Sequence, residues 1–255
     1  MSKWSFEQSL LGDVLVAPAL PDGVALFYTT CDTSGRLDEA TRSHLAGFLL
    51  ERFGLDAPLS TCAQLHGTTV HQVEQTREAQ PPVAAGSEVE PVCDALWSQQ
   101  LGVSLGIKVA DCLPVTVVDP AHSIIANLHA GWRGSARGVI ETLLEQLRSR
   151  ASFNPTGALA WLGPSIRSCC FEVGEEVIEE LRKQDPLIDA SIDRSRGPRP
   201  FLDLAGFARR RLVAGGIDEG RIHDSGECTR CEGSRFHSYR RSGPAAGRNL
   251  AVVSQ

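Results

Sequence analysis

No stretch of this chain approaches the roughly 18 uninterrupted apolar residues that a membrane span needs. The opening residues MSKWSFEQSLLGDVLVAPAL interrupt their apolar part with Glu7 and Asp13. They lack the clean apolar segment of an export signal, so no membrane association and a cytoplasmic location are expected. An excess of basic residues is also missing: 25 Lys and Arg face 31 Asp and Glu, a net charge of −6. That balance argues against a nonspecific nucleic-acid binder and leaves room only for a local basic pocket. Methionine is confined to Met1. There is no internal repeat and no low-complexity tract. What the chain does have is ordinary apolar content, 42% of 255 residues, enough to bury one large core.

Eight cysteines are scattered along it, at 31, 62, 93, 112, 169, 170, 228 and 231. A disulfide framework belongs to short secreted chains, and neither condition is met here. Reduced thiols are expected, most of them packed as small buried hydrophobes. Two Pro-rich or basic stretches, TREAQPPVAAGSEVEP (76–91) and DRSRGPRP (193–200), read as loops rather than domain linkers. Residues 1–255 are therefore read as a single domain.

Periodicity supplies the elements. LGVSLGIKVADC turns Val103, Leu105, Ile107 and Val109 to one side, a strand pattern, and PVTVVDP and HSIIANLHA are short β-branched runs that read as buried strands. SARGVIETLLEQLRSR switches to helical spacing, with Val139, Ile140, Leu143, Leu144 and Leu147 on one face and Ser135 expected as its N-cap. VGEEVIEELRKQ is acidic at its start and basic at its end, as a helix dipole favours. In LDLAGFARRRLVAGG, Asp203 is placed to cap a third helix and Gly215–Gly216 to stop it. RNLAVVSQ closes the chain as a strand. Strands interrupted by helices point to a mixed α/β or α+β domain.

Three residues combine a metal-loving side chain with a structural break: His66 in QLHGTTV, Cys112 in ADCLP and His129 in HAGWRG. Two imidazoles and one thiolate make the three-ligand set of a catalytic zinc with a fourth position open. The separations of 46 and 17 residues are too long for a zinc-finger loop, so such a site would have to be assembled by the fold. Spacing alone is equally satisfied by two hydrogen-bonded histidines and a packed thiol. ECTRCEG holds a CxxC at Cys228 and Cys231, but no second CxxC or histidine pair lies at suitable spacing, and His237 stands alone. It reads as a turn with two packed thiols, with a redox role as the alternative. GWRGSARG sets Arg133 and Arg137 beside a helix start, either an anion site or a tight turn with solvated arginines. FHSYRRSGPAAGRN adds Arg240, Arg241 and Arg248, with Tyr239 able to stack on a ring, or is a plain basic loop.

The blocks QLHGTTV, CDALWSQQLGVSLGIKVADCLPVTVVDP, IANLHAGWRGSARGVIE, WLGPSIRSCCFEVGEEV, FLDL and CTRCEGSRFHSYRRSGPAAGRN occur in one order over about residues 62 to 250. In them the chain resembles the laccase-domain family, also called multicopper polyphenol oxidase, peptidoglycan editing factor or purine nucleoside phosphorylase. The resemblance implies an α+β fold, a compact four-layer α/β/β/α single domain with mixed sheets, similar to the cytotoxic necrotizing factor catalytic domain. It places the family's metal ligands on His66, Cys112 and His129, with zinc, or copper, as the cofactor. The N-terminal region departs from the pattern: FYTTCDTSGRLDEATRSHL is shorter than the family's loop and has Cys31 where an arginine is expected. Substrate contacts from that loop are thereby removed from the expectation.

The activity implied is phosphorolysis of adenosine, inosine or methylthioadenosine to free base and ribose 1-phosphate, with adenosine deamination beside it. The partners are then a small nucleoside and phosphate, with no nucleic acid and no membrane, in a monomer or weak dimer. Arg133 and Arg241 are the candidate phosphate donors, Tyr239 and Arg248 further substrate contacts, and Asp94 a proton acceptor or support for a ligand histidine, or else only a turn residue. An editing amidase acting on a peptidoglycan precursor is the rival, using a metal-activated water or Cys112 activated by His129 as nucleophile. A non-enzymatic metal-binding or docking protein is the third class. A polyphenol oxidase is the least favoured: a blue-copper centre plus a trinuclear cluster demands more imidazole than seven histidines offer, and the weak axial methionine has no candidate beyond Met1.

Overall fold

A computed structural model describes residues 3–33, 36–74, 90–231 and 235–255. Most of the 76–91 stretch expected to be a loop lies outside these residues. The chain begins with strands β1 (Ser5–Ser9), β2 (Gly12–Val16) and β3 (Ala25–Thr29), then helix α1 (Glu39–Phe53). Strands β4 (Leu59–Ser60), β5 (Val70–Gln72), β6 (Ala95–Ser98), β7 (Ser104–Val109), β8 (Leu113–Asp119) and β9 (Ile124–Ala130) follow. Helices α2 (Trp132–Ala136) and α3 (Val139–Arg150) lead to β10 (Leu159–Leu162), helix α4 (Glu175–Arg182) and the short strands β11 (Ile192–Asp193) and β12 (Phe201–Leu202). The last elements are α5 (Leu204–Ala214), β13 (Ile222–Asp224), α6 (Tyr239–Ser242) and β14 (Asn249–Ser254).

Two six-stranded mixed sheets carry the fold, in the orders β1-β2-β3-β14-β7-β4 and β13-β10-β8-β9-β6-β5. Strand alternation decides what lies on each face. In β3, Leu26 and Tyr28 point between the sheets, while Ala25 and Phe27 face α1 beside Leu45 and Leu49. In β14, Ala251 and Val253 point inward and Leu250 and Val252 outward toward α1. In β9 the inter-sheet face receives Ile125, and the opposite face presents Ile124, Ala126, Leu128 and Ala130 to α3, α4 and α5. The result is helix, sheet, sheet, helices: the expected α+β, four-layer α/β/β/α arrangement. No helix among the described residues is long and apolar enough to cross a membrane.

The strand reading of residues 103–130 holds in detail, with Val103, Leu105, Ile107 and Val109 in the inter-sheet core. Of the 193–200 stretch, Asp193 ends β11 and residues 194–200 connect it to β12. Asp203 caps α5 by accepting from the Gly206 amide at 2.9 Å, as expected. Ser135 does not cap a helix. The expected single helix is two, α2 and α3, parted at Gly138, whose φ of +83° is open to glycine without strain. Ser135 lies buried inside α2, and Gly131 occupies the N-cap position. The N-terminal segment held structure that the sequence reading did not assign, three strands and a capped helix that form one edge of the first sheet and the layer outside it.

Between the sheets, buried Asn127 of β9 donates to the carbonyls of Leu105 and Ala251, at 3.1 and 2.9 Å, and accepts from Thr116. A polar side chain survives there because every hydrogen-bonding group is satisfied. It also ties β9 to β7 and β14 two residues before His129.

Candidate metal centre and cavity

The site grows from strand parity. His129 is two residues beyond Asn127 in β9, so it projects from the same inter-sheet face near the strand's end. Cys112 sits in the turn between β7 and β8, and His66 in the loop between β4 and β5. The thiol sulfur of Cys112 lies 3.8 Å from His66 Nε2, and the two imidazole rings are 4.7 Å apart at 72°. One potential donor atom from each of the three residues lies within 4.8 Å of the others. The three residues singled out from sequence are thus brought to one point.

Asp94, just ahead of β6, holds this arrangement. Its buried carboxylate accepts from His129 Nδ1 at 2.8 Å and from the backbone amides of His66 and Gly67 at 2.9 and 2.6 Å. One carboxylate therefore fixes the His129 tautomer, leaving Nε2 as the free donor atom, and fastens the loop that presents His66. His66 itself has φ +59°, and Asp111, which precedes Cys112, has φ +84°. Non-glycine residues there cost energy and persist only where neighbours hold them. For His66 the neighbour is Asp94; for Asp111 they are Thr229 Oγ1 and the Arg240 amide, each donating to its carboxylate at 2.6 Å. Gly131 completes the cradle: a Cβ there would stand 2.9 Å from Cys112 Sγ and 3.0 Å from His66 Cδ2.

The protonation states follow. Burial alone would push the Cys112 thiol up, but hydrogen bonds and charge from His129 and His66 outweigh it and bring its pKa down to about 6. Burial alone would lower His129, yet Asp94 and the Cys112 sulfur raise it to about 9. Burial opposes ionisation of Asp94 too, and His129 with the Gly67 and His66 amides holds it below the usual carboxylate range. Without a cation the pair is a thiolate beside an imidazolium. A cation would find the sulfur already ionised, but would have to displace the extra proton that the thiolate and Asp94 stabilise on the His129 ring.

The group opens on a cavity of about 650 Å³. Arg133, Tyr239 and Arg248, the candidate substrate contacts, line it. Arg133 lays its guanidinium over the Trp132 ring at 4.4 Å. Arg241 is directed elsewhere: its guanidinium donates to the carbonyls of Thr229 and Phe236, and Arg240 is the arginine of α6 that borders the cavity. Lys108 and Gln64 also line it and were missed, because each is a lone polar residue in an otherwise unremarkable segment.

A second group was missed altogether. Cys169 and Cys170 meet Cys228 and Cys231, with one sulfur from each within 4.8 Å of the others. The sequence reading found no partner for the CxxC because it searched nearby spacings, whereas the partner pair is about 60 residues upstream. A parallel bridge of Ser165 to Cys228 joins the two segments. Burial would raise the Cys228 thiol, and the amides of Arg167, Cys231 and Arg230 draw it down to about 7 instead.

Comparison with known proteins gives a consistent set of relatives. The sequence pattern of the family described as "Multi-copper polyphenol oxidoreductase laccase" matches residues 36–255. "Purine nucleoside phosphorylase YlmD" of Geobacillus stearothermophilus is 31% identical over 195 residues, covering 76% of this chain and 71% of that protein. "Adenosine deaminase RL5", from an unknown prokaryotic organism, is 36% identical over 161 residues, covering 63% and 61%. The crystal structure of YlmD from Geobacillus stearothermophilus superposes with a TM-score of 0.83 at 27% identity, covering 98% of each chain.

Proposed function

This chain belongs to the multi-copper polyphenol oxidoreductase laccase family, and within it we propose a nucleoside-processing enzyme that uses one metal ion held by His66, Cys112 and His129. The proposed reactions are phosphorolysis of a purine nucleoside and hydrolytic deamination of adenosine. The observation that carries the reading is the convergence of two imidazoles and a thiol at the rim of a cavity bordered by arginines.

The donor set fits zinc. Tetrahedral ligation with ordinary zinc–sulfur and zinc–nitrogen lengths separates the two donor atoms by about 3.5 Å, against 3.8 Å between Cys112 Sγ and His66 Nε2. Gly131 leaves free the space that a side chain would otherwise take beside both ligands. Three protein ligands leave a position for water or substrate, and the ion supplies Lewis acidity there. Copper shares these donors, so the identity of the ion belongs to the test.

The chain's own residues do the rest. A cavity of about 650 Å³ is of the size that takes a nucleoside together with an anion. Arg133, Arg240 and Arg248 supply positive charge around it for phosphate, whereas the Lys108 ammonium is paired with Glu90 at 2.9 Å. Tyr239, half exposed at the mouth, offers a face for the purine. In phosphorolysis a phosphate oxygen forms a bond to C1′ of the ribose while the C1′–N9 bond breaks and its electron pair leaves with the base. In deamination water adds its oxygen at C6 and the amino group departs as ammonia. Asp94 keeps His129 in one tautomer throughout.

A multicopper oxidase does not follow from the geometry. Among the described residues no third histidine joins His66 and His129. A thiol hydrolase, such as a peptidoglycan-precursor amidase, is favoured by one specific feature: Cys112, His129 and Asp94 form a nucleophile–base–carboxylate chain with a depressed thiol pKa. The two readings separate when purified protein and the His129→Ala variant are incubated with adenosine, with and without phosphate, and products are identified by mass spectrometry. Ribose 1-phosphate formed only with phosphate, or inosine and ammonia formed without it, and in either case lost in His129→Ala, supports the nucleoside reading. No conversion of adenosine, inosine or methylthioadenosine by metal-loaded protein overturns it.

A further inference from the structure

Cys169, Cys170, Cys228 and Cys231 take no part in the proposed chemistry. The sulfur of Cys231 lies 3.1 Å from that of Cys170 and 3.4 Å from that of Cys169. All four are free thiols. Neutral thiols gain little from such crowding, because S–H is a weak donor and sulfur a weak acceptor. Four thiolates around a tetrahedral zinc, by contrast, stand about 3.8 Å apart.

The backbone prepares the same outcome. The amides of Arg230 and Cys231, two and three residues after Cys228, are directed at the Cys228 sulfur, joined by that of Arg167. A CxxC turn folded in this way points both sulfurs at one centre and stabilises negative charge on the first. Positive charge surrounds the group: the Arg230 side chain faces the sulfurs of Cys170, Cys231 and Cys228, and Arg196 donates to the carbonyls of Ser168 and Cys169. Arg196 ties down the backbone of Ser168 and Cys169, and Arg230 is placed to offset the net charge of −2 that a tetrathiolate metal complex would carry.

We propose that Cys169, Cys170, Cys228 and Cys231 bind a second zinc ion in a closed, structural tetrathiolate site. Binding exchanges four thiol protons for four zinc–sulfur bonds, with no change of oxidation state. With all four positions filled by protein the ion has no place for substrate, so its role is mechanical. It clamps the 165–171 segment, which carries Ile166 and Phe171 of the cavity wall, to the 227–231 segment. Thr229 of the latter donates to Asp111, the residue beside Cys112. The second ion thereby braces the loop that presents a ligand of the first.

The test uses the full chain, purified under reductant and without chelator, as wild type, His129→Ala and the double variant Cys228→Ser/Cys231→Ser. Metal per chain is measured by plasma mass spectrometry, and cobalt(II) replaces zinc for absorption spectra. The expected wild-type content is about two zinc ions, with one retained in His129→Ala. Cobalt in His129→Ala should show the intense visible bands of a tetrahedral all-sulfur site, and zinc loading should raise its Tm. The double variant should keep only the ion at His66, Cys112 and His129. If His129→Ala folds but retains no metal and gives no such cobalt spectrum, the proposal is overturned. It is equally overturned if intact mass shows these cysteines paired as disulfides in protein prepared under reductant. Because His129→Ala lacks the first site, this result stands or falls independently of the nucleoside chemistry.

Discussion

Replacing Asp94 by Asn keeps its shape but removes the charge that holds His129 Nδ1–H, and presents an amide nitrogen to one of the donors it now accepts from. Two of the three ligands lose their anchor in one step, through the His129 ring and the His66 backbone. Metal affinity in Asp94→Asn should fall about 10- to 100-fold, measured by competition with a chromophoric chelator; unchanged affinity would place Asp94 outside the site's support. Cys112 gives a pH test. A lowered pKa means that thiolate persists above about 6 and is lost below it. In metal-stripped protein, alkylation of Cys112 by iodoacetamide, followed by peptide mapping, should reach half its plateau rate at about pH 6. In His129→Ala the midpoint should move upward, since the strongest partner opposing burial is gone. At this scale the sequence marked His66, Cys112 and His129 as ligand types, and only the resemblance joined them. It could not tell Arg240 from Arg241, because the facing of adjacent residues depends on where α6 starts. Nor could it join Cys169–Cys170 to Cys228–Cys231, since the contact arises from a bridge between distant segments.

Among the elements, the β9–α2 junction bears directly on the site. Gly131 has an ordinary φ of −68°, so its importance lies in space rather than backbone freedom. Gly131→Ala should leave α2 formed but drive a methyl group against Cys112 and His66, weakening metal binding with little change in far-UV dichroism. A variant that binds as tightly as the parent would show that the ligands have room to give. Far from the site, Asp203→Ala removes the α5 cap and should cost about 1 kcal/mol in urea unfolding; a loss within error of zero would mean that the cap is redundant. Strands β7, β8 and β9 and helix α5 were legible because alternation and caps are local signals. The split of α2 from α3 was not: RGVIE continues a helical pattern, and only Gly138 at φ +83° interrupts it. The first three strands went unassigned because β1 is half exposed and β2 and β3 bury successive rather than alternate residues, so none carries a clean alternation.

For the whole molecule, the site's position is a consequence of layering. Two sheets packed face to face leave a rim where β9 ends and the turn between β7 and β8 begins, and both ligand-bearing segments emerge there. Helices α3, α4 and α5 cover one outer face and α1 the other, so the rim is where inward-facing polar side chains can reach a cavity. The measurement that bears most directly on this account is adenosine turnover, with phosphate present, in protein stripped by chelator and then reloaded with stepwise zinc. Activity should be absent after stripping, return with reloading, and fail to return in Cys112→Ala at any zinc level. Full turnover in stripped protein, or in Cys112→Ala, would contradict it.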